Sequence, residues 1–178
     1  EDIALNELQS VRIYKPVNPD YYLVDVNLEL NCGTENPVKL LKYRYGGFGL
    51  RATEKWNSQN SEVLTSDDKI RKDADGSRAR WIMIQGDIDN DHAGIIIMSY
   101  PTNYNFPEPL RVWPEDQNGR GDVFVNFSPT KNTDWDLLPG NTYTLKYRLL
   151  VFNGKLNRID AENAWQSFTT ENNIKVIQ

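Results

Sequence analysis

The chain has 178 residues, enough for one domain with one core, and its 25 acidic against 20 basic residues give a net charge of -5. This acidic excess argues against a nucleic-acid partner, and no apolar stretch approaches the roughly 20 residues of a membrane-spanning helix. One cysteine and one histidine exclude an internal disulfide and metal sites built from several such ligands, so the sequence predicts no cofactor and no transition metal.

Alternation of apolar and polar residues predicts the first strand over residues 21–30. Two more strand candidates follow at residues 38–45 and 48–53. They are separated by Gly46 and Gly47, where we expect the backbone to need a positive φ or a close approach to another segment.

The middle of the chain alternates between polar stretches and strongly apolar runs. Residues 56–77 are polar and without periodicity, which predicts a long loop. Residues 81–84 and 94–98 are apolar at successive positions, as in strands covered on both faces, and the polar residues 85–93 between them predict a hairpin loop. Residues 101–121 hold four prolines and predict an irregular loop of the kind that carries function.

The last third of the chain contains two further strands and the one convincing helix. Alternation predicts strands at residues 122–128 and 142–152. Helical spacing of apolar residues predicts a helix over residues 158–168, with Asn157 or Asp160 as its N-terminal cap. The predicted buried face of this helix consists of Ala161, Ala164, Trp165 and Phe168.

Many strands with few helices predict an all-β fold, an antiparallel β-sandwich with one short C-terminal helix, and argue against an alternating α/β fold. We expect residues 1–178 to form one domain. Because the chain begins with Glu1 and has no signal-peptide pattern, we expect it to be a processed protein or the C-terminal part of a longer one.

An acidic stretch in the predicted hairpin loop resembles the start of a calcium-binding loop. Asp87, Asp89 and Asp91 place three carboxylates two residues apart, as a hard cation requires. The pattern then fails, because His92 stands where glycine is needed and Met98 where a bidentate glutamate is needed. We therefore predict a solvated turn and no metal site, with calcium as the minor alternative.

His92 is the only side chain whose ordinary pKa lies near neutrality. General acid–base catalysis would require a second group within hydrogen-bond reach of it, and the possible partners are Glu54, Glu108 and Glu115. The alternative is an exposed loop histidine without a catalytic task.

Aromatic and basic residues are concentrated at predicted strand ends and in the proline-rich loop. Sugar rings stack on aromatic faces and accept hydrogen bonds from arginine, so this composition fits a glycan-binding cleft. The candidate ligand-binding residues, expected to meet at one rim of the sandwich, are Arg51, Arg80, Asn103, Arg111 and Trp113. The alternatives are that the tryptophans belong to the core and that the arginines form structural ion pairs.

A series of short motifs follows in an order that resembles a known bacterial family. The motifs are residues 45–51 (YGGFGLR), Arg80-Trp81, residues 93–97 (AGIII), residues 101–103 (PTN) with Pro107 and Pro109, residues 138–140 (LPG), Tyr147-Arg148 and Asn153-Gly154. Over about residues 21–168 the chain is similar to the family named methane oxygenase PmoA, a domain of unknown function frequent in bacteria that process complex glycans.

The resemblance implies a β-sandwich similar to the supersandwich group of galactose mutarotases and glycoside hydrolases, a periplasmic or extracellular location, and further sequence upstream. It does not imply methane oxidation, because authentic methane oxygenase subunits span the membrane and carry metal. Arg44 or Tyr45, and Tyr100, stand where histidines are expected in the family. Chemistry performed by such histidines is therefore not carried over to this chain.

Three functional hypotheses follow. The leading one is a domain that binds carbohydrate or assists glycan processing without catalysis of its own. The second is a sugar epimerase or glycoside hydrolase that uses a carboxylate and histidine pair drawn from Glu54, Asp87, His92 and Glu108. The third is a structural domain that binds an upstream region or another protein chain.

Overall fold

The computed structural model describes residues 3–16 and 18–171, and these form an antiparallel β fold with a long C-terminal helix. The elements are β1 (Leu5–Ile13), β2 (Tyr21–Cys32), β3 (Val38–Leu40), β4 (Phe48–Arg51), β5 (Ser61–Thr65), α1 (Arg71–Ala74), β6 (Arg78–Ala79), β7 (Trp81–Ile88), β8 (Asp91–Ser99), β9 (Glu108–Val112), β10 (Phe124–Phe127), β11 (Trp135–Leu137), β12 (Tyr143–Asn153) and α2 (Arg158–Glu171). In this part of the chain no helix is both long enough and apolar enough to span a membrane.

The strands form three sheets. The long sheet has the order β1-β2-β12-β8-β7-β5, the short sheet has the order β4-β10-β9-β6, and β11 pairs with β3. The core lies between the long and short sheets, while α2 covers the opposite face of the long sheet. This arrangement confirms the predicted all-β sandwich.

The first four residues of strand β7 are all apolar because both faces of the strand are covered there. Ile82 and Ile84 join the cluster between the sheets, whereas Trp81 and Met83 pack in the cluster that contains α2, and all four are buried. A strand alternates its side chains between two faces, so burial of both faces requires apolar residues at odd and even positions alike. The prediction of strands covered on both sides is confirmed.

Helix α2 begins as predicted and ends later. The Asn157 side-chain oxygen accepts hydrogen bonds from the backbone N–H groups of Ile159 (2.7 Å) and Asp160, and the Asp160 carboxylate accepts one from the Asn157 backbone. This reciprocal pair is a capping box, in which Asn157 is the N-cap. Ala161 and Phe168 are buried against the long sheet, as expected.

Three loop predictions were wrong in part. Residues 56–77 include β5 and α1, and residues 101–121 include β9. Strand β5 is an edge strand of five residues, which is too short to show a clear alternation. Strand β9 contains Pro109, and proline within a run of residues argues against a strand. Strands β7 and β8 run up to Ile88 and from Asp91, so the predicted nine-residue hairpin loop is only the Asp89-Asn90 turn.

Candidate functional site

Three of the predicted ligand-binding residues meet on the outer face of the short sheet. In β9, Leu110 and Val112 are buried in the core, so the intervening Arg111 lies on the opposite face. Trp113 follows on that outer face, and its ring packs against Phe124 of β10 with a centroid separation of 5.1 Å. Arg51 of β4 is opposite Phe124 in the strand register, and its guanidinium lies 4.6 Å from the Trp113 ring centroid.

Tyr45 completes this cluster. Its hydroxyl accepts hydrogen bonds from the Trp113 indole N–H (3.0 Å) and from an Arg111 guanidinium N–H (3.3 Å). The hydrogen bond from Arg111, followed by the one from Trp113, lowers the pKa of Tyr45 below its ordinary value, because both donors stabilise a phenolate. We call the cluster of Arg44, Tyr45, Arg51, Arg111 and Trp113 the arginine–aromatic patch.

The arginines of the patch differ in their partners. Arg111 forms an ion pair with Asp75 (3.2 Å), and Lys131 binds the same carboxylate (2.7 Å). Arg44 and Arg51 are exposed, and neither forms an ion pair with another residue in the described ranges. The Arg44 guanidinium lies 5.3 Å from the Tyr45 ring centroid. The patch therefore presents two exposed guanidinium groups, each held over an aromatic ring.

Two glycines allow the loop that carries Tyr45 to approach the short sheet. The Tyr43 backbone N–H donates to the Thr130 carbonyl (3.1 Å). Gly47 has φ +91°, and a β-carbon on it would lie 2.4 Å from the Phe127 carbonyl oxygen. A side chain at this position would collide with backbone, so the expected close approach at the glycine pair is confirmed.

An apolar groove of about 370 Å³ adjoins the patch. Its lining includes Glu7, Leu28, Leu41, Tyr43, Tyr45 and Trp135. The Tyr43 side chain is 59% exposed, whereas Trp113 is only 9% exposed. The aromatic ring available for stacking on a ligand is therefore that of Tyr43, and Trp113 serves mainly as packing beneath Arg51.

Arg80 and Asn103 lie elsewhere. Arg80 is on the helix side of the long sheet, where it pairs with Glu162 (3.1 Å) and its guanidinium covers the Trp165 ring. Asn103 is buried, and its side chain binds both the backbone carbonyl and the backbone N–H of Lys146. The structure thus assigns structural contacts to both residues, in agreement with the alternative stated for the arginines.

Glu108 is fully buried in a network of hydroxyl and amide donors. It accepts hydrogen bonds from Ser99 (2.6 Å), Asn103 (2.9 Å) and Tyr147 (2.9 Å). Burial raises the pKa of Glu108 above its ordinary value, and the three hydrogen bonds offset part of that effect. Because Glu108 is inaccessible to solvent, its position favours a role in the core and gives no route to a substrate.

His92 has a carboxylate partner, but it is Asp87 and none of the three glutamates named as possible partners. Its Nδ1 lies 2.9 Å from the Asp87 carboxylate, across the β7–β8 hairpin. The Nε2 atom is buried and has no hydrogen-bond partner in the described structure. Glu54 is exposed and lines a separate cavity of about 270 Å³ with Arg51 and other residues. Neither Glu54 nor Glu108 forms a hydrogen bond with His92 in the described structure.

The three aspartates proposed as calcium ligands do not converge. In the hairpin register Asp87 is opposite His92 and Asp91 is opposite Ile88, so Asp87 and Asp91 lie on opposite faces. Asp89 forms an ion pair with Lys55. Among the residues that the structure describes, no group of three potential metal ligands is close enough to hold an ion.

Tyr43, Arg44 and Tyr45 were missed as ligand-binding candidates, although the glycine pair that positions them was recognised. The available signal was their location directly before that pair, because a loop forced against a sheet also positions its neighbouring side chains. Arg71 was also missed. Its buried guanidinium donates to four backbone carbonyls, those of Trp113, Pro114, Gly121 and Asp122, and so fixes the loop that follows β9.

Residues 1–166 match the model of a Family of unknown function (DUF6807), and the chain belongs to that family. No curated protein and no solved structure matches the chain.

Proposed function

We propose that this member of the DUF6807 family binds carbohydrate at the arginine–aromatic patch and the adjoining apolar groove, without catalysing a reaction on it. One observation carries the proposal. The exposed ring of Tyr43 lines a groove that shares Tyr45 with the patch, and the exposed guanidinium groups of Arg44 and Arg51 in the patch have no carboxylate partner in the described structure. This is the combination of an apolar face and directional donors that a sugar ring requires.

The chemistry of binding follows from these groups. The apolar C–H face of a sugar stacks on Tyr43 and contacts Leu41 in the groove. Arg44 and Arg51 donate hydrogen bonds to oxygens at the rim of the sugar. The groove volume of about 370 Å³ lies within the range of small-molecule sites.

The enzymatic alternative has less support in the geometry. An epimerase or glycoside hydrolase needs an acid or base that reaches the sugar. Glu108 is fully buried. Asp87 and His92 form the hydrogen-bonded pair that this alternative requires and line a cavity of about 220 Å³, but the Nε2 atom of His92 is buried. A relationship to the methane oxygenase PmoA family and to the galactose-mutarotase supersandwich, expected from the order of the short motifs, is part of this proposal. A periplasmic or extracellular location is part of the same proposal.

A partner-binding role is the second candidate, and strand β1 favours it. Leu8, Val11 and Ile13 are 60%, 56% and 71% exposed on this edge strand of the long sheet. Exposed apolar edge strands are surfaces on which another segment can add a strand. Substitution of Val11 by lysine is expected to abolish a protein interaction at this edge and to leave glycan binding unchanged.

The test is a glycan array, followed by calorimetric titration of the glycans that bind. We expect Tyr43→Ala to weaken glycan affinity by roughly tenfold through lost stacking, with a melting temperature close to that of the wild type. Tyr22→Ala is the matched control, because Tyr22 is an exposed tyrosine that does not line the groove. Absence of glycan binding on the array, or full affinity in Tyr43→Ala, would contradict the proposal.

A further inference from the structure

We infer that the carbohydrate bound at the arginine–aromatic patch is acidic, with carboxylate or sulfate groups that bind the guanidinium groups of Arg44 and Arg51. This inference rests on the proposed function and adds the chemical class of the ligand. It also assigns Arg44, Arg51 and Tyr43 separate roles: the two arginines bind the anionic groups, and Tyr43 holds the sugar ring.

Positive charge is concentrated at the patch. The chain as a whole carries a net charge of -5, yet Arg44, Arg51, Arg111 and Lys131 lie at the patch. Asp75 is the carboxylate that forms ion pairs there, and it is shared by Arg111 and Lys131. A concentration of positive charge on an acidic protein attracts anions to that place selectively.

The two exposed guanidinium groups, those of Arg44 and Arg51, form no ion pair in the described structure. Hydrogen bonds from Asn118 and Arg120 lower the pKa of Asp122, with a smaller contribution from the charge of Arg51. The ion-pair partner of Asp122 is Arg120. Glu54 lines a cavity with Arg51 without forming an ion pair with it in the described structure. The guanidinium N–H groups of Arg44 and Arg51 are therefore available to bind a ligand. A planar guanidinium edge matches the paired oxygens of a carboxylate or a sulfate.

Aromatic rings hold these two guanidinium groups in place. Arg44 lies over Tyr45 and Arg51 over Trp113, and the two rings are joined by the hydrogen bond from the Trp113 indole N–H to the Tyr45 hydroxyl. A guanidinium packed on a ring loses less conformational freedom when it binds an anion. The adjoining groove and Tyr43 favour an anion attached to a sugar over a free inorganic ion.

The experiment compares three defined oligosaccharides by titration calorimetry. The probes are an oligogalacturonate, the same oligosaccharide after reduction of its carboxyl groups, and a sulfated galactose oligosaccharide. We expect at least one acidic probe to bind about tenfold more tightly than the carboxyl-reduced probe, and this preference to decline as salt is raised toward about 0.5 M. The two acidic probes distinguish a carboxylate ligand from a sulfate ligand.

The variants Arg44→Gln and Arg51→Gln test the assignment of residues. Each is expected to weaken binding of the acidic probe about fivefold or more and to change binding of the neutral probe less than twofold. Arg12→Gln is the matched control, because Arg12 is exposed and lies over the Tyr14 ring at 4.6 Å, outside the patch. We expect its affinities to equal those of the wild type.

The outcomes separate this inference from the proposed function. Equal binding of acidic and neutral probes, reduced by Tyr43→Ala, would overturn the acidic specificity and keep carbohydrate binding. Tight binding of an acidic probe that is unaffected by Arg44→Gln and Arg51→Gln would overturn the assignment of the anion site. Absence of binding for all three probes, together with a glycan array that shows no binding, would overturn both the acidic specificity and the proposed carbohydrate binding.

Discussion

Replacement of Trp113 by alanine tests whether this residue belongs to the packed outer layer of the short sheet or directly contacts the ligand. The side chain is 9% exposed and is enclosed by Arg51, Tyr45 and Phe124. Truncation of a residue that contacts the ligand would lower the glycan affinity of the protein without lowering its stability. Truncation of a packed residue would lower the stability of the protein first.

The expected magnitude follows from the contacts. Truncation of a buried tryptophan to alanine destabilises a protein by about 3–5 kcal/mol, since it removes apolar burial and leaves a cavity. For a chain of this length, about 2–4 °C of melting temperature is lost for each kcal/mol, so Trp113→Ala should melt roughly 10 °C below the wild type. Trp113→Phe keeps a ring on Phe124 but removes the hydrogen bond to Tyr45, and should cost about 1–2 kcal/mol.

Urea unfolding and scanning calorimetry of both variants measure these losses, and glycan titration well below each melting temperature measures the effect on binding. Trp113→Phe should retain most of the glycan affinity, because Arg51 still has an aromatic ring beneath it. A melting temperature of Trp113→Ala within about 2 °C of the wild type would refute the reasoning, since a buried ring cannot be removed at so small a cost.

Two further predictions concern the core and the loop of the patch. Because burial raises the pKa of Glu108 above its ordinary value of 4.5, the folded state holds this proton more tightly than the unfolded state does. The stabilisation from protonated Glu108 is therefore complete below about pH 4.5 and is lost as pH rises through the raised pKa. Urea unfolding across this range should show the free energy of unfolding of the wild type falling with pH, and the contribution of Glu108 to this fall should be absent from Glu108→Gln. Gly47→Ala should destabilise the protein by about 1–3 kcal/mol and weaken glycan binding, because its β-carbon collides with the Phe127 carbonyl. Gly140→Ala has a similar positive φ and free space, so equal losses in both variants would disprove the collision.

The sequence alone determined the elements whose residues are buried in a regular pattern. The strand at residues 21–30, the doubly covered strands β7 and β8, and the capped helix α2 all follow from local periodicity, since a side chain's face is set by its position in the element. The close approach at Gly46 and Gly47 was also predictable, because glycine is the residue that permits it. Strand β1 was not predicted, because nearly all of its side chains are exposed and leave no alternation in the sequence.

Only the tertiary structure decided which of the candidate residues meet. Arg51 and Arg80 both lie at strand ends, and nothing local distinguishes them. Arg51 reaches the outer face of the short sheet because β4 pairs with β10, whereas Arg80 faces Glu162 on α2. The pairing of Arg51 with Phe124 and the contact of Arg80 with Glu162 each join residues more than 70 positions apart. The hydrogen bond from Trp113 to Tyr45 likewise joins distant parts of the chain. Local periodicity determines the face of a residue within its own element, and only the pairing of distant elements determines its neighbours.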